Sequence, residues 1–362
     1  MTRSFPSLTS GTALLAAYFL PFCPSKTASG KGTASMRLRA MVAVWMVAFA
    51  ASAADRGEWK ATLASAVRSL DAGQCREAEP LVQRALQQAG EFGSNDTAVA
   101  YTLRAVGTLE SCLGNFQQAE QSYRKALRIL TPVDGHRLAV SRLHSDLGSL
   151  YMTMGGHLTE AEKAFRSEIE ILASIPGPAQ AQDTADGLVS LAGIMLERGA
   201  PEEARDLLYR ALVIAEKAPG APRAAAAALN GLGGVASEEG RTEEALAYFM
   251  HSTEVWRQTD HNRHPDIIPS LLNSGILYLK LHRPIESLAV LREAQEIAEA
   301  TLGDAHPLLG QVLFARAEAL SKTGERRESR ELKRRSERIR NQHPAGSASI
   351  SITDLIQGSS RR

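Results

Sequence analysis

RAAAAALNGLGGVASEEGRTEEALAYFMHSTEVWR, residues 223–257, carries the pattern that decides the fold. From Ala224 to Glu239 the chain is rich in Ala and Leu, and Leu229, Leu232, Gly233 and Ala236 recur at the three- and four-residue spacings of one helical face. Gly240 ends that helix, because glycine accepts the left-handed backbone that a helix stop needs. Thr242-Glu243-Glu244 then opens a second helix, its acids set against the positive end of the helix dipole. Ala245, Phe249 and Ser252 form the inner face of this second helix.

The same unit recurs. A turn residue followed five positions later by a small one stands at Gly73/Ala78, Gly114/Ala119, Gly156/Ala161, Gly199/Ala204, Gly240/Ala245, His282/Ser287 and Gly324/Ser329. The small residues step by 41, 42, 43, 41, 42 and 42. A period of this length marks a solenoid, in which each unit buries its core only against its neighbours. Nine positions after the turn comes a bulky plug: Val82, Tyr123, Phe165, Leu208, Phe249 and Leu291. Twelve after, the residue is usually small again, as at Ala85, Ala126, Ala211, Ser252 and Ala294. Small residues let two backbones approach where helices cross, and a large one there overpacks the contact. Asn115-x-x-Gln118 and Thr159-x-x-Glu162 have the pattern of capping boxes. The third turn carries an extra residue, Gly155-Gly156, and His282 replaces a turn glycine, which predicts a strained or differently shaped turn there.

Leu147-Gly148 and Leu232-Gly233 in first helices, Gly at the turn and A-x3-[FYL]-x2-A in second helices resemble tetratricopeptide repeats. The long period, with Ala78-Glu79-Pro80-Leu81, His264-Pro265-Asp266 and Leu302-Gly303-Asp304-Ala305-His306-Pro307, resembles the kinesin-light-chain-like subclass. The resemblance implies an all-α, right-handed solenoid of about seven helix-turn-helix repeats over 55–341. It also implies a non-catalytic scaffold that binds a protein or peptide in a concave groove. The alternative is a sensor or regulatory module that binds a small ligand or controls a partner enzyme.

Residues 1–54 read as a leader. Met36-Arg37-Leu38-Arg39, an apolar run to Ala51, and Ala51/Ala53 in A-x-A spacing make 36–54 signal-peptide-like, with cleavage near Ala53-Ala54. Translation starting at Met36 accounts for a second apolar stretch upstream, Thr12–Phe22. The expected location is therefore periplasmic or secreted; the alternative is anchorage to a membrane by an uncleaved leader. Residues 342–362, rich in Gly and Ser after His343-Pro344, read as a disordered tail. A net charge of +1 sets up no global field for nucleic acid or an anionic membrane. The basic stretch Glu325–Asn341 lacks the interleaved aromatics that stack on bases, and reads as the polar face of a terminal cap.

No motif nominates a catalytic residue, a metal site or a cofactor: H-E-x-x-H, the P-loop and G-x-S-x-G are all missing. His261, His264 and Asp260 match no zinc spacing. Cys75 opens one second helix and Cys112 closes the next first helix, so antiparallel packing brings both to one edge of the solenoid. In an exported protein this predicts a disulfide closing 37 residues; the alternative is two free, half-buried thiols. Within the family fold, first helices line the groove. Counting back from each turn places Arg104, Ser145, Val189, Asn230, Ser237, Glu238, Leu272, Leu279, Lys280 and Phe314 on it. The expected ligand is a peptide across the fourth to sixth units, with Asn230 bonding its backbone and Leu272 and Leu279 giving an apolar wall. Leu272 and Ile276 as core between units is the alternative.

Overall fold

Glycine turns and short plug contacts build the chain, a computed structural model of which describes residues 55–175, 180–218, 221–258 and 264–342. The leader and tail lie outside these residues, apart from the last residue of the final helix. Among the described residues there are fourteen α-helices and no strand: α1 (55–71), α2 (Cys75–Gly90), α3 (Thr97–Cys112), α4 (Phe116–Leu130), α5 (Arg137–Met154), α6 (Leu158–Ala173), α7 (Ala181–Glu197) and α8 (Pro201–Lys217) come first. Then follow α9 (Pro222–Glu238), α10 (Thr242–Arg257), a 3-10 turn Pro265–Ile267, α11 (Ile268–Lys280), α12 (Pro284–Thr301), α13 (Pro307–Thr323) and α14 (Arg326–Gln342). Each odd-numbered helix packs on the even one that follows it, giving seven antiparallel pairs stacked into a right-handed α-solenoid.

The turn inside each pair is one device repeated. Gly73, Gly114, Gly199, Gly240 and Gly324 have φ between 71° and 94°. The next residue's N–H reaches back to a carbonyl five positions earlier: Asn115 to Glu110 and Arg241 to Ala236, both at 2.8 Å. This two-residue link satisfies the orphan carbonyls of the first helix. His282 forms the same turn at φ 57°, with Arg283 N–H on Tyr278 O at 2.8 Å. The turn thus keeps its shape, and the strain is confined to one non-glycine residue in the left-handed region. His282→Gly should stabilise the sixth unit by about 1 kcal/mol; an unchanged or lowered urea midpoint would contradict this.

The two capping boxes do not form. Asn115 sits at the N-cap of α4 with ψ 60°, makes no cap bond, and instead gives its amide to Glu110 at 2.8 Å. Thr159 lies inside α6, whose N-cap is His157. A link of glycine plus one residue does not leave the N-cap extended, so its side chain cannot turn back onto the helix. Between units the longer connections do allow it. Asp96 accepts from Ala98 N–H at 2.8 Å, and His264 and His306 accept through Nδ1 from Asp266 and Leu308 N–H at 3.2 and 3.1 Å. The His-Pro signature is thus a helix cap followed by proline at the first helical position.

Packing within each pair explains the Leu-Gly element. Seven residues before each left-handed turn position (in the third unit, counted from Gly155) stand Ala66, Gly107, Gly148, Ala192, Gly233, Gly275 and Ala317. A Cβ added at Gly107, Gly148 or Gly233 would lie 2.5, 2.7 or 2.7 Å from the ring of Tyr123, Phe165 or Phe249. At Gly275 it would meet Leu291 at 2.5 Å. Aromatic plugs therefore face glycine, while Val82 and Leu208 fall in units that carry Ala66 and Ala192. In the last two units the small residue of the second helix is serine, whose hydroxyl ties the helices together. Ser287 donates to Gly275 O and Ser329 to Ala317 O, both at 2.8 Å. Gly148→Ala should cost about 1–3 kcal/mol by overpacking, although alanine favours helix. Gly193→Ala, with no atom within 4 Å of the added Cβ, should stabilise by up to about 1 kcal/mol. Equal effects of the two in chemical denaturation would show that the plug contact is not what selects glycine.

Candidate functional site

Ion pairs between successive first helices set the character of the concave face. Arg104 of α3 holds Asp146 of α5 bidentately, Nε at 2.5 Å and Nη2 at 3.1 Å. One unit along, Arg142 of α5 meets Asp183 of α7 at 3.2 Å, and Arg223 of α9 meets Asp186 of α7 at 2.7 Å. These residues line a cleft of about 550 Å³ that runs from Val67 and Asp71 on α1 to Arg223 on α9. Ser145, Ser149, Val189 and Ser190 complete its walls. Since every aspartate of α5 and α7 in the cleft has an arginine, the wall is held in place by its own charges.

Glu168 of α6 is the lining residue contributed by a second helix. It stands twelve after Gly156, where the other six units have Ala85, Ala126, Ala211, Ser252, Ala294 and Ser336. It is 2% exposed, and its Oε2 has no hydrogen-bond partner. Burial pushes its carboxyl up to about 8; a hydrogen bond from Ser145 acts the other way, and Asp183, Asp146 and Asp186 add to the rise. Gly187 of α7 makes the room: a Cβ there would lie 3.2 Å from Oε2. At the corresponding contact two units on, Ser252 and Ser270 share a hydrogen bond of 2.9 Å.

The structure brings Arg104, Ser145 and Val189 together in this cleft and places the other seven expected groove residues elsewhere. Leu272 and Leu279 are 4% and 9% exposed and belong to the apolar core of the last units, with Ile276 beside them. They form no groove wall, because their side of α11 packs into the core, while Pro269, Asn273 and Lys280 mark its half-buried face. Asn230 accepts from Ser270 at 3.2 Å, within a network that continues from Ser252 to Ala226 O, so its carbonyl is committed to packing. Ser237 is half-buried, Glu238 exposed, and Lys280 half-buried with burial lowering its ammonium. Phe314 is half-buried under Lys333, whose ammonium lies 5.9 Å from the ring centre and 2.5 Å from Glu318. The open cleft therefore spans the first to fifth units rather than the fourth to sixth.

Arg142, Asp183, Asp186, Arg223 and Glu168 are absent from the sequence-based groove. Four of them lie three to seven residues further from the turn than Arg104, Ser145, Val189 and Asn230, which each stand ten before it. Opposite charges about one repeat apart, as in Arg104/Asp146 and Arg142/Asp183, were the available signal. Cys75 and Cys112 are joined at one edge, Cα atoms 6.3 Å apart. Among the described residues no group of His, Cys, Asp and Glu side chains could hold a metal, and no helix is long and apolar enough to cross a membrane.

Stacked antiparallel helix pairs with left-handed turns and a polar concave cleft define a helical-repeat solenoid. The chain belongs to the tetratricopeptide repeat family, whose pattern matches residues 62–131, 183–258 and 266–342, and it is of the kinesin-light-chain-like type. Over 218 residues it is 23% identical to the kinesin light chain-related protein 3 of Arabidopsis thaliana, covering 59% of this chain and 33% of the relative. The chain thus spans about a third of the length of that curated relative. BtubC (BKLC) from P. vanneervenii has a similar fold, with a TM-score of 0.53 at 19% identity over 65% of this chain and 95% of its own. A signal transduction ATPase with a tetratricopeptide repeat sensor from Pyrococcus horikoshii gives 0.59 at 16% identity over 78% and 42%. The family match leaves out residues 132–182, the unit that carries Gly155-Gly156 and Glu168.

Proposed function

We propose that this chain is a non-catalytic scaffold that docks a protein or peptide segment in the cleft formed by α3, α5, α7 and α9. The observation that carries the reading is the cleft itself. It is a concave, polar surface built from the same face of consecutive first helices and pre-organised by Arg–Asp pairs. Family membership supports protein binding as the general activity. Export is part of the proposal. The signal-like segment 36–54 and the paired cysteines both fit an oxidising compartment, and the mature N-terminus is expected near Ala54. A small-ligand sensor is the second reading, favoured by a cleft volume in the range that takes small molecules.

The test is site-specific photo-crosslinking in the full chain. A photoreactive residue in place of Val189, in the cleft, should capture a discrete partner. One in place of Val213, exposed on α8, should not. Arg142→Ala should weaken capture about tenfold or more, and Lys280→Ala should leave it unchanged. Capture from Val213 alone would move the docking surface off the cleft.

A further inference from the structure

One residue in the cleft breaks the rule of the repeat. The position twelve after the turn is alanine or serine in six units and Glu168 in the third. A buried carboxyl oxygen without a partner destabilises a fold, and alanine there avoids the penalty. The neighbouring unit accommodates the acid instead of excluding it, since α7 carries Gly187 opposite its Oε2. Glu168 occupies the room that Gly187 leaves and lines the cleft there, a place termed the Glu168 recess below.

The walls decide what the recess accepts. Arg104, Arg142 and Arg223 are each held by an aspartate of the cleft, so none is free to take an anion. Asp146, Asp183 and Asp186 are equally committed. The buried acceptor left over is Glu168 Oε2, and Asp71, exposed on α1, is the other carboxylate of the cleft outside these pairs. A calcium ion needs six to eight oxygen ligands and magnesium a near-octahedral set, which one oxygen does not supply. A single nitrogen cation needs one carboxylate with further acceptors close by, and the hydroxyls of Ser145, Ser149 and Ser190 line the same cleft.

We infer that the Glu168 recess receives one basic side chain, a lysine ammonium or an arginine guanidinium, projecting from the segment bound in the cleft. This rests on the proposed docking reading and adds a chemical requirement to it. The free carboxyl is held largely protonated at neutral pH by its burial. An arriving cation favours the carboxylate, so seating the side chain expels the Glu168 proton to solvent and leaves an ion pair. Val189, two residues from Gly187 on α7, supplies apolar surface for the aliphatic stem.

The experiment uses the full chain and an arrayed library of blocked peptides in which each position is fixed in turn as each amino acid. Binders are expected to require lysine or arginine at one position. Affinity should fall at least tenfold when that lysine is Nζ-acetylated, and likewise in Glu168→Ser, a variant that restores the residue type of the other units and so should fold. Calorimetry at pH 7 in buffers of different ionisation enthalpy should show release of close to one proton by the wild type and none by the variant. Peptides that bind without a basic residue, or equally well to Glu168→Ser, would overturn the recess and leave the docking reading standing. A library without binders would remove the docking reading and this inference with it.

Discussion

Breaking the Cys75–Cys112 bond should loosen the first unit by about 3–4 kcal/mol while leaving the last three units untouched. The bond spans 37 residues of sequence, and closing a loop of that length removes about that much chain entropy from the unfolded ensemble. Its position decides where the loss appears. It joins the start of α2 to the end of α3 and so staples the first helix pair to the second. Stability in a solenoid is a sum of unit and neighbour-interface terms, and a terminal unit has only one neighbour. Without the bond that unit is held by a small core of Ala66, Val82, Ala105 and Leu109, by Trp59, Ala85 and Ala89 in the larger apolar cluster, and by the bond from Trp59 Nε1 to Thr102 Oγ1 at 2.9 Å. Cys112→Ser is the milder test, because Cys112 is exposed and Cys75 is buried. Amide exchange in α1 and α2 should accelerate by more than a hundredfold in the variant or in reduced wild type, and stay the same in α9–α14. Reductant with no effect on the wild type, or two free thiols in the unfolded, unreduced mature protein, would show that the bond does not form.

The architecture was legible because solenoid geometry repeats its demands. A left-handed turn, a close helix crossing and a plug recur every 41 to 43 residues, so the turn and the crossing are each written seven times and the plug six. The groove was much less legible, for two physical reasons. One residue of register rotates a helix by about 100°, which is enough to turn Leu272 from concave surface into core. A sequence also does not state which charges pair. Arg104, Ser145 and Val189, counted from the turn alone, do line the cleft, but the walls around them are closed by pairs between units, such as Arg142–Asp183. Asn230 looked like a peptide clamp, yet Ser270 and Ser252 draw it into packing. The departure that was visible and informative is Glu168: an acid at a position that is otherwise alanine or serine contradicts the local rule, and such contradictions gather where a protein binds something.

Replacing Glu168 with glutamine should remove the largest part of a pH dependence that the wild type displays between about pH 5 and 8. The carboxyl titrates at about 8 in the folded chain, against 4.5 for a free glutamate. Between those values the folded state holds a proton that the unfolded state has lost, so stability falls as pH rises through the window and levels off above it. The stabilisation is fully present below about 4.5 and gone above about 8. A shift of this size corresponds to roughly 3–5 kcal/mol over the whole window, expressed locally as opening of the α6–α7 contact. Other groups slope differently. Burial lowers the His144 imidazole, which makes stability rise with pH below 6.5, and the Arg166 hydrogen bond holds the Glu162 carboxyl low. Both are present in wild type and variant, so the difference between the two stability–pH curves isolates Glu168. Its neighbours set the width of the window. Asp183 and Asp186 of α7 and Asp146 of α5 raise the carboxyl beyond what burial does, and the hydrogen bond from Ser145 acts the other way. Denaturant titrations at half-unit pH steps should give parallel curves below about pH 5 and a growing advantage for Glu168→Gln toward pH 8. A constant offset across the range would mean that the acid stays ionised in the fold. The recess would then be open to water, and the case for a protein-bound cation in it would lose its physical basis.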